Sequence, residues 1–205
     1  TLQMAMSGLR ELSTIQTPPV DRLAVRTYVM EWDDMVMREA LLREHHRGGQ
    51  SFIVVPRIAD MPDVEDWLRR TVPEVKCVSA HGQMGAGEVE ERMSAFYEKK
   101  YEVLVSTTIV ESGLDIPSAN TIIIHRADRF GLAQLHQLRG RVGRGSDQSY
   151  CLLIPTHEDK TENERLQAMS ESNDGFFLAE KDLQLRGPGE FLGTRQAGYT
   201  SGLRM

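Results

Sequence analysis

The chain has 205 residues, 40% of them hydrophobic and 26% charged, with a formal net charge of −6. That composition excludes a disordered or collagen-like chain and permits one sizeable core without disulfide staples. It argues against a dedicated nucleic-acid-binding domain, which carries excess positive charge overall. Arginines nevertheless concentrate between Arg126 and Arg144, and a local basic surface can act inside an acidic protein.

No run approaches the roughly 18 apolar residues of a membrane span, and no signal peptide opens the chain. A soluble, cytoplasmic protein without a membrane partner is the expectation. Cys77 and Cys151 each sit in an apolar run without metal-ligand spacing around them, so both are expected as buried free thiols and no metal site is expected.

In chain order, residues 1–22 show no clean period, and Pro18 and Pro19 stop any helix there. They read as a linker from something upstream. "LAVRTYVMEW" alternates with β-branched and aromatic content and predicts a strand. Between Asp33 and Arg47, Met37, Leu41 and Leu42 recur at helical spacing, with Asp33 placed to cap the start and Gly48-Gly49 the end. His45 and His46, at that helix end, are expected in solvent near the negative end of the dipole.

The alternation then repeats. "SFIVVP", "VKCVSA", "EVLVST", "TIIIH" and "SYCLLIP" read as short buried strands. "PDVEDWLRRTV", "GEVEERMSAFYEKK" and "GLAQLHQLR" read as the helices between them. Such βαβ units predict an α/β fold, a doubly wound parallel sheet of RecA-like type covered on both faces, over residues 23–155. Function in these sheets gathers at the carboxyl ends of the strands. Beyond Pro155, "ENERLQAMSES" and "DGFFLAEKDLQL" predict a helical hairpin, and "RGPGEFLGTRQAG" a glycine- and proline-rich loop, giving an appendage over 156–205.

The strongest chemical signal is "QLRGRVGR". If the helix continues through it, Gln137, Arg141 and Arg144 fall at i, i+4 and i+7 on one face, with Leu135, Leu138 and Val142 on the core side. Two guanidiniums and an amide suit a polyphosphate, whose oxygens a planar fork pairs bidentately. Gly140 and Gly143 would let a bulky anion or another domain approach. In "STT", Thr107 and Thr108 place hydroxyls where a strand ends and can hold a phosphate. His81, after "VKCVSA", either contacts a phosphate or caps a turn.

"QLRGRVGR" resembles motif VI of superfamily-two helicases, "VLVSTTIVESGLDIP" resembles motif V, and "SFIVVPRI" stands where motif IV belongs. The nearest resemblance is to the RecG and Mfd (transcription-repair coupling factor) translocases, over essentially the whole chain. "SGLRELSTIQTPPVDRLAVRTYV", "HGQM" and "HRADRFGLAQL" are closer to Mfd, whereas "RVGRGSDQSYCLL" and "NDGFFLAEKDLQLRGPGEFLGTRQAG" are closer to RecG. The larger share follows Mfd.

The resemblance implies a second motor lobe. Arg141 and Arg144 would be arginine fingers reaching the γ-phosphate of ATP, assisted by Gln137, with the nucleotide and its Mg²⁺ held mainly by a first RecA-like lobe. Gly113 and Asp115 would face the nucleotide. Thr107, Thr108, His81 and Arg57 would contact double-stranded DNA. The C-terminal segment resembles the TRG hairpin and loop that couple lobe motion to translocation, with Arg186, Arg195 and Gln196 as its coupling residues. RNA polymerase and nucleotide-excision repair proteins would be partners through other domains.

No G-x-x-x-x-G-K-[ST] phosphate loop and no Asp-Glu pair after an apolar strand occur in the 205 residues, so the chain is expected not to hydrolyse ATP by itself. Two rivals remain: a non-catalytic interaction module, which loss of either finger would favour, and a small-molecule α/β enzyme, which predicts a glycine-rich loop after the first strand.

Overall fold

Asp33 sets the first boundary by local chemistry. Its carboxylate accepts the amides of Met35 and Val36, and Gly48, at φ 77°, closes the same helix by donating to the carbonyls of Glu44 and His45. The computed structural model describes residues 23–108, 116–157 and 160–186, with the side chains of 160–163 and 186 excepted.

Strands β1 (Arg26–Val29), β2 (Gln50–Val54), β3 (Cys77–Ala80), β4 (Val103–Ser106), β5 (Ala119–His125) and β6 (Tyr150–Ile154) form one sheet in the order β1-β6-β5-β2-β4-β3. Every pairing is parallel. Helices α1 (Asp34–Arg47), α2 (Met61–Thr71), α3 (Ala86–Tyr97) and α4 (Leu132–Arg139) lie between strands, and α5 (Lys160–Glu171) and α6 (Gly175–Arg186) follow β6. Each matches a segment expected from the sequence within a few residues.

The strands are apolar throughout because both faces are covered. Successive residues point to opposite faces, so Ile122 and Ile124 join Phe52, Phe96, Leu135 and Leu138 on one side. Ile123 joins Met37, Leu41, Ile53 and Trp67 on the other. The hairpin shares the first of these cores through Leu166, Met169 and Leu178. Helix α5 packs beside β1 and α6 against α4 and α5, so the appendage is seated on the lobe.

Two sequence expectations change. His46 is exposed, but His45 is only partly so: its Nδ1 lies 2.5 Å from Glu102 Oε1, both side chains being about one-third exposed. The charge of a carboxylate brought in from the end of the α3–β4 connection competes with water for the ring. Cys77 is free but only half-buried, because β3 is an edge strand, whereas Cys151 is fully buried and its thiol is pushed up to about 12 by burial.

Candidate functional site

Parallel strands give the sheet two chemically different edges. At the carboxyl edge, Val54, Ser106 and Ala80 are level in register on the adjacent strands β2, β4 and β3. Arg57, Thr107-Thr108 and His81 therefore follow one another along the same edge. The structure thus brings together the four residues expected to meet DNA.

Each is differently held. The Arg57 guanidinium is 56% exposed and binds Asp60, Nη2 to Oδ1 at 2.8 Å, while Arg126 Nε stands 3.8 Å from the same oxygen. Burial pushes the Asp60 carboxyl up, but hydrogen bonding and charge from Arg57 with the charge of Arg126 outweigh it, leaving it below its ordinary value. His81 Nδ1 accepts the Gln83 amide at 3.2 Å, so of the two roles expected for it the turn cap is the one seen.

Farther along this edge a cleft of about 520 Å³ opens among Met30, Trp32, His125, Arg126, Thr156 and His157. His125 Nδ1 and Thr156 Oγ1 are buried there without hydrogen-bond partners among the described residues. Burial, then the Arg126 charge, holds the His125 imidazole below its ordinary range.

The arginine-rich segment lies elsewhere. Helix α4 runs back from the end of β5 to the start of β6 and delivers Arg139–Gln148 to the amino edge. Helix α4 stops at Arg139, so Gln137, Arg141 and Arg144 do not share a helical face. Gly140 caps α4, and the chain turns at Gly143, φ 86°. A side chain at Gly143 would also meet Val25 Cγ2 at 2.9 Å, and one at Gly145 the Pro117 carbonyl at 2.6 Å. Gly143 thus serves a left-handed turn and Gly145 a close approach to the backbone at Pro117.

The three arginines of "QLRGRVGR" part company accordingly. Arg139 is 3% exposed and donates to Thr27 Oγ1 and to the carbonyls of Met169 and Ser172, and burial lowers its pKa. Arg141 is half-buried on the turn, and Arg144 Nε donates to the Gly140 carbonyl at 3.0 Å. Gln137 is exposed, whereas Leu135, Leu138 and Val142 are core, as expected. Gly113, Asp115, Arg195 and Gln196 lie outside the described residues, as does the 1–22 linker. Arg186 ends α6, its side chain also outside them.

Besides Asp60 and Arg139, two further charges are buried that the sequence does not announce. Arg165, 3% exposed, reaches from α5 to the Phe130 carbonyl at 2.6 Å and to Asp182 of α6 at 3.2 Å, tying the hairpin together and to the lobe. Glu44, 1% exposed, binds Arg47, Asn120 and Thr121. The available signal was position: each sits on the apolar stripe of its helix, Glu44 beside Met37 and Leu41, Arg165 beside Ala168 and Met169.

The model of the helicase conserved C-terminal domain matches residues 33–146. The chain belongs to that family. The model described as ATP-dependent DNA helicase RecG, domain 3, C-terminal, matches residues 172–205.

Transcription-repair-coupling factors of Myxococcus xanthus and Escherichia coli strain K12 are 52% and 50% identical over 204 residues, 97% of this chain. The chain spans only 17% and 18% of those relatives. A solved RecG bound to a three-way DNA junction is 42% identical, with TM-score 0.72, covering 86% of this chain and 24% of that one. The C-terminal domain of the DEAD-box protein Dbp5, 20% identical, shares the fold with TM-score 0.53 over 72% of this chain and 84% of its own. The chain is thus a superfamily-two helicase C-terminal lobe, RecA-like, resembling both transcription-repair coupling factors and RecG.

Proposed function

We propose that this lobe is the second motor lobe of an ATP-dependent double-stranded DNA translocase acting in repair, of transcription-repair-coupling type. The observation that carries the reading is the turn after α4, where Arg141 and Arg144, both half-buried, stand on an edge whose glycines pack closely on Val25 and Pro117. Two guanidiniums there fit a polyphosphate but cannot hold a nucleotide by themselves, since the chain contains no phosphate loop. A first lobe would hold ATP and Mg²⁺, which supply the phosphoryl group and its charge neutralisation. Arg141 and Arg144 stabilise charge on the transferring group, Gln137 assists at the interface, and Gly113 and Asp115 line it.

On the other edge, Arg57, Thr107, Thr108 and His81 hold DNA phosphates. Residues 156–205 act as the coupling hairpin and loop through Arg186, Arg195 and Gln196, after a lobe of 23–155 and a linker of 1–22. The setting is cytoplasmic, with RNA polymerase and nucleotide-excision repair proteins met through other domains. The RecG-domain match at 172–205 favours a second reading, a fork-regressing helicase with the same lobe mechanics.

Phosphate release and triplex displacement test the proposal. The chain alone is expected to be silent with and without duplex DNA. Joined to a phosphate-loop lobe, it should show DNA-stimulated hydrolysis and displacement. Turnover by the chain alone, or silence of the two-lobe protein, overturns the reading.

A further inference from the structure

The carboxylate of Glu44 belongs to no function considered so far, yet it is the most heavily bonded acid at the amino edge. Its Oε1 accepts from Arg47 Nε at 3.0 Å and Asn120 Nδ2 at 3.2 Å. Its Oε2 accepts from Arg47 Nη2 at 2.7 Å and Thr121 Oγ1 at 2.5 Å. Arg47 Nη2 continues to the Gln148 carbonyl at 2.7 Å. Gly49 must be glycine here, because a side chain would meet Glu44 Oε1 at 2.3 Å and Asn120 Nδ2 at 2.8 Å.

The partners are two segments far apart in sequence. Asn120 and Thr121 open β5, directly after the stretch containing Gly113 and Asp115, and Ser118 is tied in through its carbonyl to Gln50 N at 2.7 Å. Gln148 closes the stretch containing Arg141 and Arg144. Those stretches also touch, at Gly145 and Pro117. The Glu44–Arg47 pair, its carboxylate buried and its guanidinium 26% exposed, thus ties the start of β5 to Gln148, which follows the Arg141–Arg144 turn.

Stability alone is a poor reason for such a pair. Taking the Glu44 carboxylate and much of the Arg47 guanidinium from water carries a desolvation cost, and an apolar pair of similar volume is often as stable or more so. What four directed hydrogen bonds add, and apolar packing does not, is a single register. A transition-state contact needs that, since a misplacement of about 1 Å can cost on the order of 10²-fold in rate.

We infer that Glu44, held by Arg47, is a positioning residue for the arginine fingers: it locks the exit of the Arg141–Arg144 turn to the exit of the neighbouring nucleotide-facing segment. The inference rests on the proposed finger role of Arg141.

The test uses a protein joining this chain to a phosphate-loop lobe, with Glu44→Gln, and Glu44→Leu combined with Arg47→Met as an apolar replacement that restores packing without direction. Both are expected to keep a cooperative melt and a KM for ATP within about threefold, while kcat falls on the order of ten- to a hundredfold. Because Glu44 acts through the fingers, Glu44→Gln combined with Arg141→Ala should be no slower than Arg141→Ala alone. Parental kcat in the apolar pair, or additive losses in the double variant, overturns the inference. Unfolding of both variants assigns the cluster to stability and also overturns it. A silent Arg141→Ala overturns the finger role itself and the inference with it, whereas an impaired Arg141→Ala beside unimpaired Glu44 variants overturns the inference alone.

Discussion

The two edges of this sheet handle charge in opposite ways. At the amino edge, Glu44, Arg47 and Arg139 are tied into bonds joining segments up to 112 residues apart, as in Arg139 to Thr27. At the carboxyl edge, Arg57 is more than half exposed, and its described ion pair is local, to Asp60 three residues away. The difference fits the tolerance of the two tasks proposed for these edges. A group that stabilises a transferring phosphoryl must be placed to a fraction of an ångström, whereas a phosphate of a moving duplex must be gripped and released. Rigidity belongs to the first edge and adaptable charge to the second.

The sharpest break would come from Arg141. In a two-lobe protein, Arg141→Ala should lower kcat for DNA-stimulated hydrolysis by ~10³-fold or more, as expected for a finger, with KM for ATP changed within about threefold. Steady-state phosphate release at several ATP concentrations separates the two. Parental kcat would remove the catalytic half of the contrast and leave the amino edge a purely structural junction.

That contrast was only partly legible in the sequence. The strands were legible because a sheet buried on both faces demands short, continuous apolar runs, and "TIIIH" and "EVLVST" offer nothing else. The ends of α1 were equally plain, since Asp33 and Gly48 act on their nearest neighbours. The end of α4 was not. A glycine inside a helix costs only about 1 kcal/mol, so Gly140 did not forbid the continuation that would align Gln137, Arg141 and Arg144. What stops the helix is the left-handed turn at Gly143 packed on Val25, a contact 118 positions away in sequence and invisible locally. Glu44 and Arg165 were hidden for the same reason: although Arg47 neutralises Glu44 locally, the hydrogen-bond partner that buries its carboxylate lies 77 positions away at Thr121, and the charge partner of Arg165 lies 17 away at Asp182.

A second prediction separates the arginines inside one octapeptide. Arg139→Ala should remove its bonds to the carbonyls of Met169 and Ser172, and Arg165→Ala its bonds to Asp182 and the Phe130 carbonyl. Losing one partner of a buried charged arrangement costs about 3–5 kcal/mol, and for a chain of this size each kcal/mol moves Tm by roughly 2–4 °C. Each variant should therefore melt roughly 6–20 °C lower, read by thermal circular dichroism, while Arg141→Ala melts within about 2 °C of the parent. Equal melting of all three would mean that the buried and the surface arginines are not energetically distinct.

The smallest effect tests the carboxyl edge through pH. Asp60 is held below its ordinary value of 3.8, because Arg57 and Arg126 outweigh the burial that would raise it. A carboxylate depressed in the folded state contributes stability that is full above its ordinary value and is lost as pH falls through the folded one. Asp60→Asn should therefore lower Tm by the same amount at pH 8 and at pH 5. The gap between variant and parent should close only below about pH 4. Its size should stay near 1 kcal/mol or less, since Arg57 is largely solvated and pairs of that kind contribute little. Thermal melts of both proteins from pH 3 to 8 give the curve directly. A gap that closes between pH 5 and 7 would mean that Asp60 is raised, not depressed, and that the two arginines do not hold it. A gap that persists unchanged to pH 3 would mean that the carboxylate's charge contributes nothing and that only its shape matters. Closure below pH 4 alone fits an edge whose arginines are held by a single charge, loosely enough to exchange it for a phosphate.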